Sequence, residues 1–261
     1  MIPAWLLTLL GIVLAVMMVP YVLGPILIFF TLRFRMPPTV VTVDPRVHPL
    51  PDQARAYLGE AYQHLTAVGF ENIGTILLPD LMPNVKTLFA IYANRAHTDL
   101  AMSAIIVAET PMGGELKTSY VEFMRRHDDD VVVQTNNSSE LSSFKPMPGE
   151  HTTKLWNIRD IQRLYHIHQA LADRFCERGR PVNELDTKYG GDIQQYVAKS
   201  VLEKSFRDQV GTGYLAEDAE GFHPTIPGAV IMTWKELWPI KSIRRWREKQ
   251  NAERLLAEIG L

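Results

Sequence analysis

The sequence predicts an α+β fold: an N-terminal transmembrane helix, then an antiparallel sheet of about five strands with packed helices, then a helical C-terminal region with a hairpin. Three observations predict it. From Ala4 to Leu32 no Asp, Glu, Lys, Arg or His interrupts the chain. Between Phe70 and Thr135 the apolar residues fall in short runs rich in Val, Ile, Phe, Tyr and Thr. On either side of that stretch they recur at the i, i+3, i+4 spacing of a helix.

The first run would make a helix of about 43 Å at 1.5 Å per residue, longer than the ~30 Å hydrocarbon core of a bilayer. Tilt or a kink at Pro20 or Pro25 would absorb the excess. A cleaved signal peptide fits less well, because no basic residue precedes the run and its apolar stretch is too long. Arg33 and Arg35 follow it directly, so the positive-inside tendency places the single-pass protein's soluble region on the cytoplasmic side of a membrane. The lone Cys176 agrees with a reducing compartment, since one cysteine makes no intramolecular disulfide.

Residues 36–51 hold five prolines and predict a semi-rigid linker. Asp52 then opens a helix whose apolar face is Ala54, Tyr57, Leu58, Ala61, Tyr62 and Leu65, with Gly69 ending it. The runs at 70–78, 85–93, 100–108, 116–125 and 131–135 are expected strands. Turn signals at Pro79-Asp80, Asn94, Met112-Gly113-Gly114 and Asp128-Asp129-Asp130 separate them. Such short connections favour antiparallel neighbours. Residues 136–150 form a polar loop. A second helix opens near Asn157 and Asp160 and buries Ile161, Leu164, Tyr165, His168, Leu171, Ala172 and Phe175. A third runs from Asp192 to about Asp208, followed by a hairpin-like stretch from Gly213 to Thr233. The expected organisation is therefore an anchor at 1–35, a linker at 36–51, an α+β domain at 52–178, a helix plus hairpin at 179–233 and a basic tail at 234–261.

Charge is unevenly distributed. The tail carries seven Lys or Arg against four Glu, whereas the net charge of the whole chain is −2. In that tail Trp234, Trp238 and Trp246 alternate with Lys241, Arg244, Arg245 and Arg247. Tryptophan favours the headgroup region and cations favour anionic lipid, so these seven residues, with Arg33 and Arg35, are the candidate membrane-interface residues. The same tryptophans could equally pack into a core.

Catalytic signatures are missing: there is no CxxC, HExxH, GxSxG or GxxxxGK[ST]. Gly113-Gly114-Glu115-Leu116-Lys117-Thr118 lacks the glycine that lets a loop wrap phosphates. Gly211-Thr-Gly213-Tyr-Leu-Ala216 follows a helix rather than a strand, the wrong context for a dinucleotide turn. His166 and His168 stand two apart, which on a helix points them to nearly opposite sides and argues against a shared metal. Cys176, between Arg174 and Arg178, reads as a packed cysteine whose pKa nearby cations would lower. No catalytic residue, cofactor or metal ligand is assigned.

Gly213-Tyr-Leu-Ala-Glu-Asp218 and Gly221-Phe-His-Pro-Thr225-Ile-Pro-Gly228, after a helix bearing Lys199, Lys204 and Arg207, resemble the wing of winged-helix domains over 190–233. The resemblance implies a tethered regulator, but the acidic body opposes nucleic acid. With the apolar run, the segment Gly228-Ala-Val-Ile-Met-Thr-Trp-Lys-Glu-Leu-Trp-Pro239 resembles a group of uncharacterised bacterial single-span membrane-anchored proteins, and implies no activity. The expected function is a membrane-anchored binding or scaffolding protein, with the lipid bilayer and membrane proteins as partners. The alternative is an enzyme acting on an amphiphilic substrate in a pocket between sheet and helices, using His151, His166 or the acidic turn at 128–130.

Overall fold

A computed structural model describes the chain apart from residues 1–3, 83–84, 111–112, 143 and 177–178; the side chains of 4, 6–16, 82, 109–110 and 113 also lie outside the described residues. The elements in order are α1 (Ala4–Thr31), β1 (Phe34–Arg35), β2 (Val41–Val43), α2 (Asp52–Ala67), β3 (Glu71–Met82), β4 (Val85–Asn94), β5 (Asp99–Thr110), β6 (Gly113–Arg126), β7 (Val132–Asn136) and β8 (Glu150–Lys154). Then follow α3 (Ile161–Phe175), α4 (Glu184–Tyr189), α5 (Ile193–Gln195), a π-helical stretch (Tyr196–Glu203), α6 (Lys204–Gly211), β9 (Leu215–Asp218), β10 (Gly221–Pro224), α7 (Ile226–Trp234) and α8 (Ile240–Glu258).

Seven strands make one sheet in sequence order β2 to β8. All neighbours are antiparallel except β7 and β8, which run parallel. The sheet is thus mixed, and larger than the five-stranded antiparallel one expected. Its central strands are covered on both sides, which is why they read as nearly continuous apolar runs. Leu88, Ala90, Tyr92, Val121 and Phe123 face one way, into a core closed by α2 and α3. Phe89, Ile91, Ala93, Leu100 and Ala104 face the other, against α4–α6, the β9–β10 hairpin and Phe34.

Local chemistry explains most boundaries. Gly69 takes a φ of 87° directly after α2, a backbone state that favours glycine. Asp160 caps α3 through its carboxylate, which accepts from the backbone N–H groups of Gln162 and Arg163 at 2.9 and 3.1 Å. Thr225 caps α7 by accepting from Gly228 N–H at 3.0 Å, so the stretch read as a hairpin to Thr233 is a hairpin only as far as Pro224. Gly228 is packed so closely that a Cβ would stand 2.0 Å from the Tyr214 carbonyl oxygen.

The N-terminal expectation needs correction. Among the described residues no helix is long and apolar enough to cross a membrane. The transmembrane anchor, the single-pass membrane location and the cytoplasmic placement derived from it therefore do not stand. What the structure shows instead is α1 laid along α7. The Thr233 methyl fills the space a side chain at Gly24 would need, and the Trp234 indole donates to the Tyr21 carbonyl at 2.8 Å. The Tyr21 hydroxyl donates to the Trp238 carbonyl, and Pro25 is buried. The linker also differs from expectation, because β2 within it pairs with β3 through Val41–Leu77, Thr42–Ile76 and Val43–Thr75.

Candidate functional site

A cavity of about 760 Å³, within the size range of small-molecule sites, lies against the second face of the sheet and reaches round its β8 edge to His151, Phe175, Ala252 and Leu255 on the first-face side. Its floor is set by strand register. Ile91 pairs with Met102, Met102 with Glu122, Glu122 with Asn136 and Asn136 with Lys154. One cross-strand row therefore passes from two apolar side chains to a carboxyl, an amide and an amine. The neighbouring row repeats the gradient: Leu100, Met124, Gln134, Thr152. Cross-strand partners stand about 5 Å apart, so each row presents a continuous strip to the cavity.

The walls come from three other segments. The π-helical stretch and α6 contribute Tyr196, Ser200, Val201, Lys204 and Asp208. The loop after β7 adds Leu141 and Phe144, and α8 supplies Arg244, Glu248, Asn251, Ala252 and Leu255. A π-helix is an uncommon backbone state that recurs at functional sites.

The polar end of the floor is incompletely neutralised. Asn136 donates its amide to the Glu122 carboxyl at 2.8 Å, and its own oxygen accepts from Ser138 N–H at 3.2 Å. Burial pushes the Glu122 pKa above the usual carboxylate value, favouring its neutral form. Lys154 donates to the Glu140 carbonyl, and burial lowers its pKa. On the facing wall, Nη1 of Arg244 and Oε2 of Glu248 are buried without a hydrogen-bond partner among the described residues. Buried orphans of this kind are costly in a closed core and useful in a site that a polar ligand completes.

The other face of the sheet holds a second ionisable cluster of different character. Asp99 is wholly buried and receives Arg125 in a two-pronged pair, Nε at 2.6 Å and Nη2 at 3.0 Å. The Tyr165 hydroxyl donates to the same carboxylate at 2.8 Å, and Arg125 reaches Asp173 at 3.0 Å. His168 bonds Thr135 through Nδ1 at 3.1 Å, while its Nε2 stands 3.9 Å from Asp99, too far for a hydrogen bond. This cluster joins α3 to β5, β6 and β7, and none of Asp99, Arg125, Tyr165, His168 and Asp173 lines the 760 Å³ cavity.

The residues singled out from sequence are dispersed. His151 lines the cavity and stacks on Phe175 with ring centres 4.2 Å apart. His166 is exposed on α3, Asp128 in the acidic turn pairs with Arg180 at 3.2 Å, and neither lines the cavity with His151. Cys176 follows α3, where burial pushes its thiol up to about 11, opposite to the expected lowering by cations. Lys204 and Arg207 are tied to Asp208 and Glu203 at 2.7 and 2.9 Å.

The interface candidates divide. Arg33 is partly buried and donates to the Phe29 and Leu32 carbonyls at 3.1 and 3.0 Å, closing α1. Arg35 is exposed in β1, and Trp234 lies against Tyr21. Lys241 pairs with Glu236 at 2.9 Å, and Arg244 turns inward to the cavity. Trp238, Arg245, Trp246 and Arg247 remain exposed. Among the described residues no group of acidic, histidine or cysteine side chains is arranged to hold a metal ion. Comparison with protein-family models, curated proteins and solved structures finds no match.

Proposed function

We propose that the chain is a binding module for a small amphiphile, held in the cavity between the second sheet face and α8. The observation that carries this reading is the floor row Ile91–Met102–Glu122–Asn136–Lys154, apolar at one end and hydrogen-bonding at the other. An apolar tail lies over Ile91, Met102, Met124 and Val201, where two methionines supply adaptable contact surface. Its head meets Glu122, Asn136 and Lys154 and satisfies the open atoms of Arg244 and Glu248. Catalysis has less support, because neither His166 nor the acidic turn lines the cavity with His151.

Calorimetric titration with alkyl carboxylates of six to fourteen carbons, and with alkyl trimethylammonium ions of the same lengths, tests the reading. Affinity is expected to rise with chain length by about 0.8 kcal/mol per buried methylene and then level off when the cavity is full. The head group that binds more tightly identifies the charge the floor accepts. Val201→Trp, which fills the tail end, is expected to abolish binding while the circular dichroism spectrum is retained. Affinity independent of chain length, or unchanged in Val201→Trp, would rule the cavity out as the site.

A further inference from the structure

Helix α8 has two faces with different chemistry. Arg244, Glu248, Asn251 and Leu255 recur at helical spacing and line the cavity. On the opposite side Trp246 is 61% exposed, and Ile243 and Arg247 are exposed on the flank between the two faces. A single exposed tryptophan would need no explanation. Trp246 is not isolated. Trp238 is 68% exposed just before α8, and its carbonyl is held by Tyr21 of α1. Beyond Tyr21, α1 turns Val22, Leu23, Ile26 and Phe30 outward, from 47% to 69% exposed. The bonds of Tyr21 with Trp238 and Trp234 fasten α1 to the segment that leads into α8, so these exposed apolar residues stand on elements held together and offer one candidate surface.

We infer that this surface docks on an anionic lipid layer, with α8 lying in the headgroup region and its inner face forming a wall of the amphiphile cavity. Charge decides between lipid and a second copy of the chain as the occupant. The exposed cations Arg245, which donates to the Ser139 carbonyl at 3.3 Å, and Arg247 flank Trp246, and this alternation of indole and guanidinium suits an interface where apolar chains meet negative headgroups. A second copy would bring the same cations against themselves. The protein lies on the layer in this arrangement and does not cross it. The cavity's role in the inference rests on the function proposed above, whereas the docking surface stands on its own residues.

Flotation of the full chain with vesicles tests it, comparing pure phosphatidylcholine with phosphatidylcholine containing 30% phosphatidylglycerol, roughly a physiological anionic fraction. The wild type is expected to prefer the anionic vesicles, and the preference is expected to shrink as salt rises. Arg245→Glu with Arg247→Glu should reduce anionic binding at least about tenfold, from about 1 kcal/mol per cation. Trp246→Ala should weaken binding to both vesicle types. Equal binding to the two vesicle types, or a preference that survives the double charge reversal, would overturn the inference. So would a stable dimer in solution that Trp246→Ala dissociates, since the surface would then belong to a second copy. Val201→Trp is expected to leave flotation unchanged, and Arg245→Glu with Arg247→Glu to leave amphiphile titration without vesicles unchanged. Failure of the cavity reading and failure of the docking reading are thereby distinguishable.

Discussion

Glu122 and Arg125 stand three residues apart on β6 and point to opposite faces of one sheet, where their surroundings treat charge in opposite ways. Arg125 meets Asp99 through two hydrogen bonds, with Tyr165 and Asp173 completing the group. Glu122 has one amide donor, and the cavity it faces contains the open atoms of Arg244 and Glu248. On the first face, Asp99 and Arg125 are fastened into the core that joins sheet to α3, and only Nε2 of His168 among that group's ionisable atoms lacks a hydrogen-bond partner among the described residues. On the second they are left able to bond something else. A closed network specifies structure, and an open one invites a ligand.

The largest effect should come from opening the closed side. Asp99→Asn keeps the shape but removes the buried charge that Arg125 faces, leaving the guanidinium only the exposed carboxylate of Asp173. Loss of about 3–5 kcal/mol is expected, from the cost of breaking one half of a buried pair. Urea denaturation would measure it. Asp99→Leu combined with Arg125→Met should recover most of that loss, because an apolar pair of similar volume needs no compensation. If the single variant loses less than about 1 kcal/mol, the range of an exposed pair, the contrast between the faces fails.

Acid should act on the same side with smaller effect. Burial lowers the His168 pKa below 6.5, and the folded protein therefore holds fewer protons there than the unfolded chain. For Asp99, burial opposes ionisation, but His168 and Arg125 outweigh it and hold the pKa below 3.8. Both depressions have the same sign: stability is present above the unfolded value and is lost as pH falls. Denaturation midpoints should decline from about pH 6.5 downward as His168 is forced to charge, and again through the carboxylate range. His168→Gln should flatten the upper part of that decline. A pH profile between 7 and 5 that is identical in the wild type and His168→Gln would show that His168 charges freely in the fold, since the opposite contribution of Glu122 is common to both.

How much of this was legible in the sequence depends on whether the signal was local. Helices α2 and α3 were, because their apolar faces repeat every three or four residues; the same period placed His168 inside and His166 outside. Strands β4 to β6 were visible as β-branched and aromatic runs. The end of β3 was not, since Pro79-Asp80 reads as a turn. It lies beyond Leu77, the last residue of β3 that β2 pairs with, and an edge position tolerates proline. Strand β8 was hidden because its parallel pairing with β7 depends on a crossing of the polar loop. Helix α7 did carry a signal: Thr225 before a proline in the first turn is a helix start. The anchor reading counted apolar residues correctly but could not see α7 lying along α1. The cavity floor was beyond reach, because Met102, Glu122, Asn136 and Lys154 meet only through the register of four strands.

The smallest effect, and the sharpest test of the contrast, is the same chemical change made on the open face. Glu122→Gln preserves an oxygen to accept from Asn136 and removes a carboxyl that burial already keeps toward its neutral form. A raised folded-state pKa means that ionising Glu122 opposes folding as pH rises, so its removal should help at neutral pH rather than harm. Stability is expected to rise by less than about 1 kcal/mol, in the range of ordinary substitutions outside a tight network. The gain should be largest above pH 7 and vanish near pH 4, where the wild-type side chain is protonated in both states. Carboxyl-to-amide exchange at Asp99 and at Glu122 should therefore move the urea midpoint in opposite directions. A fall at both positions would mean that Glu122 is as tightly built into the fold as Asp99, and that the second face is closed too.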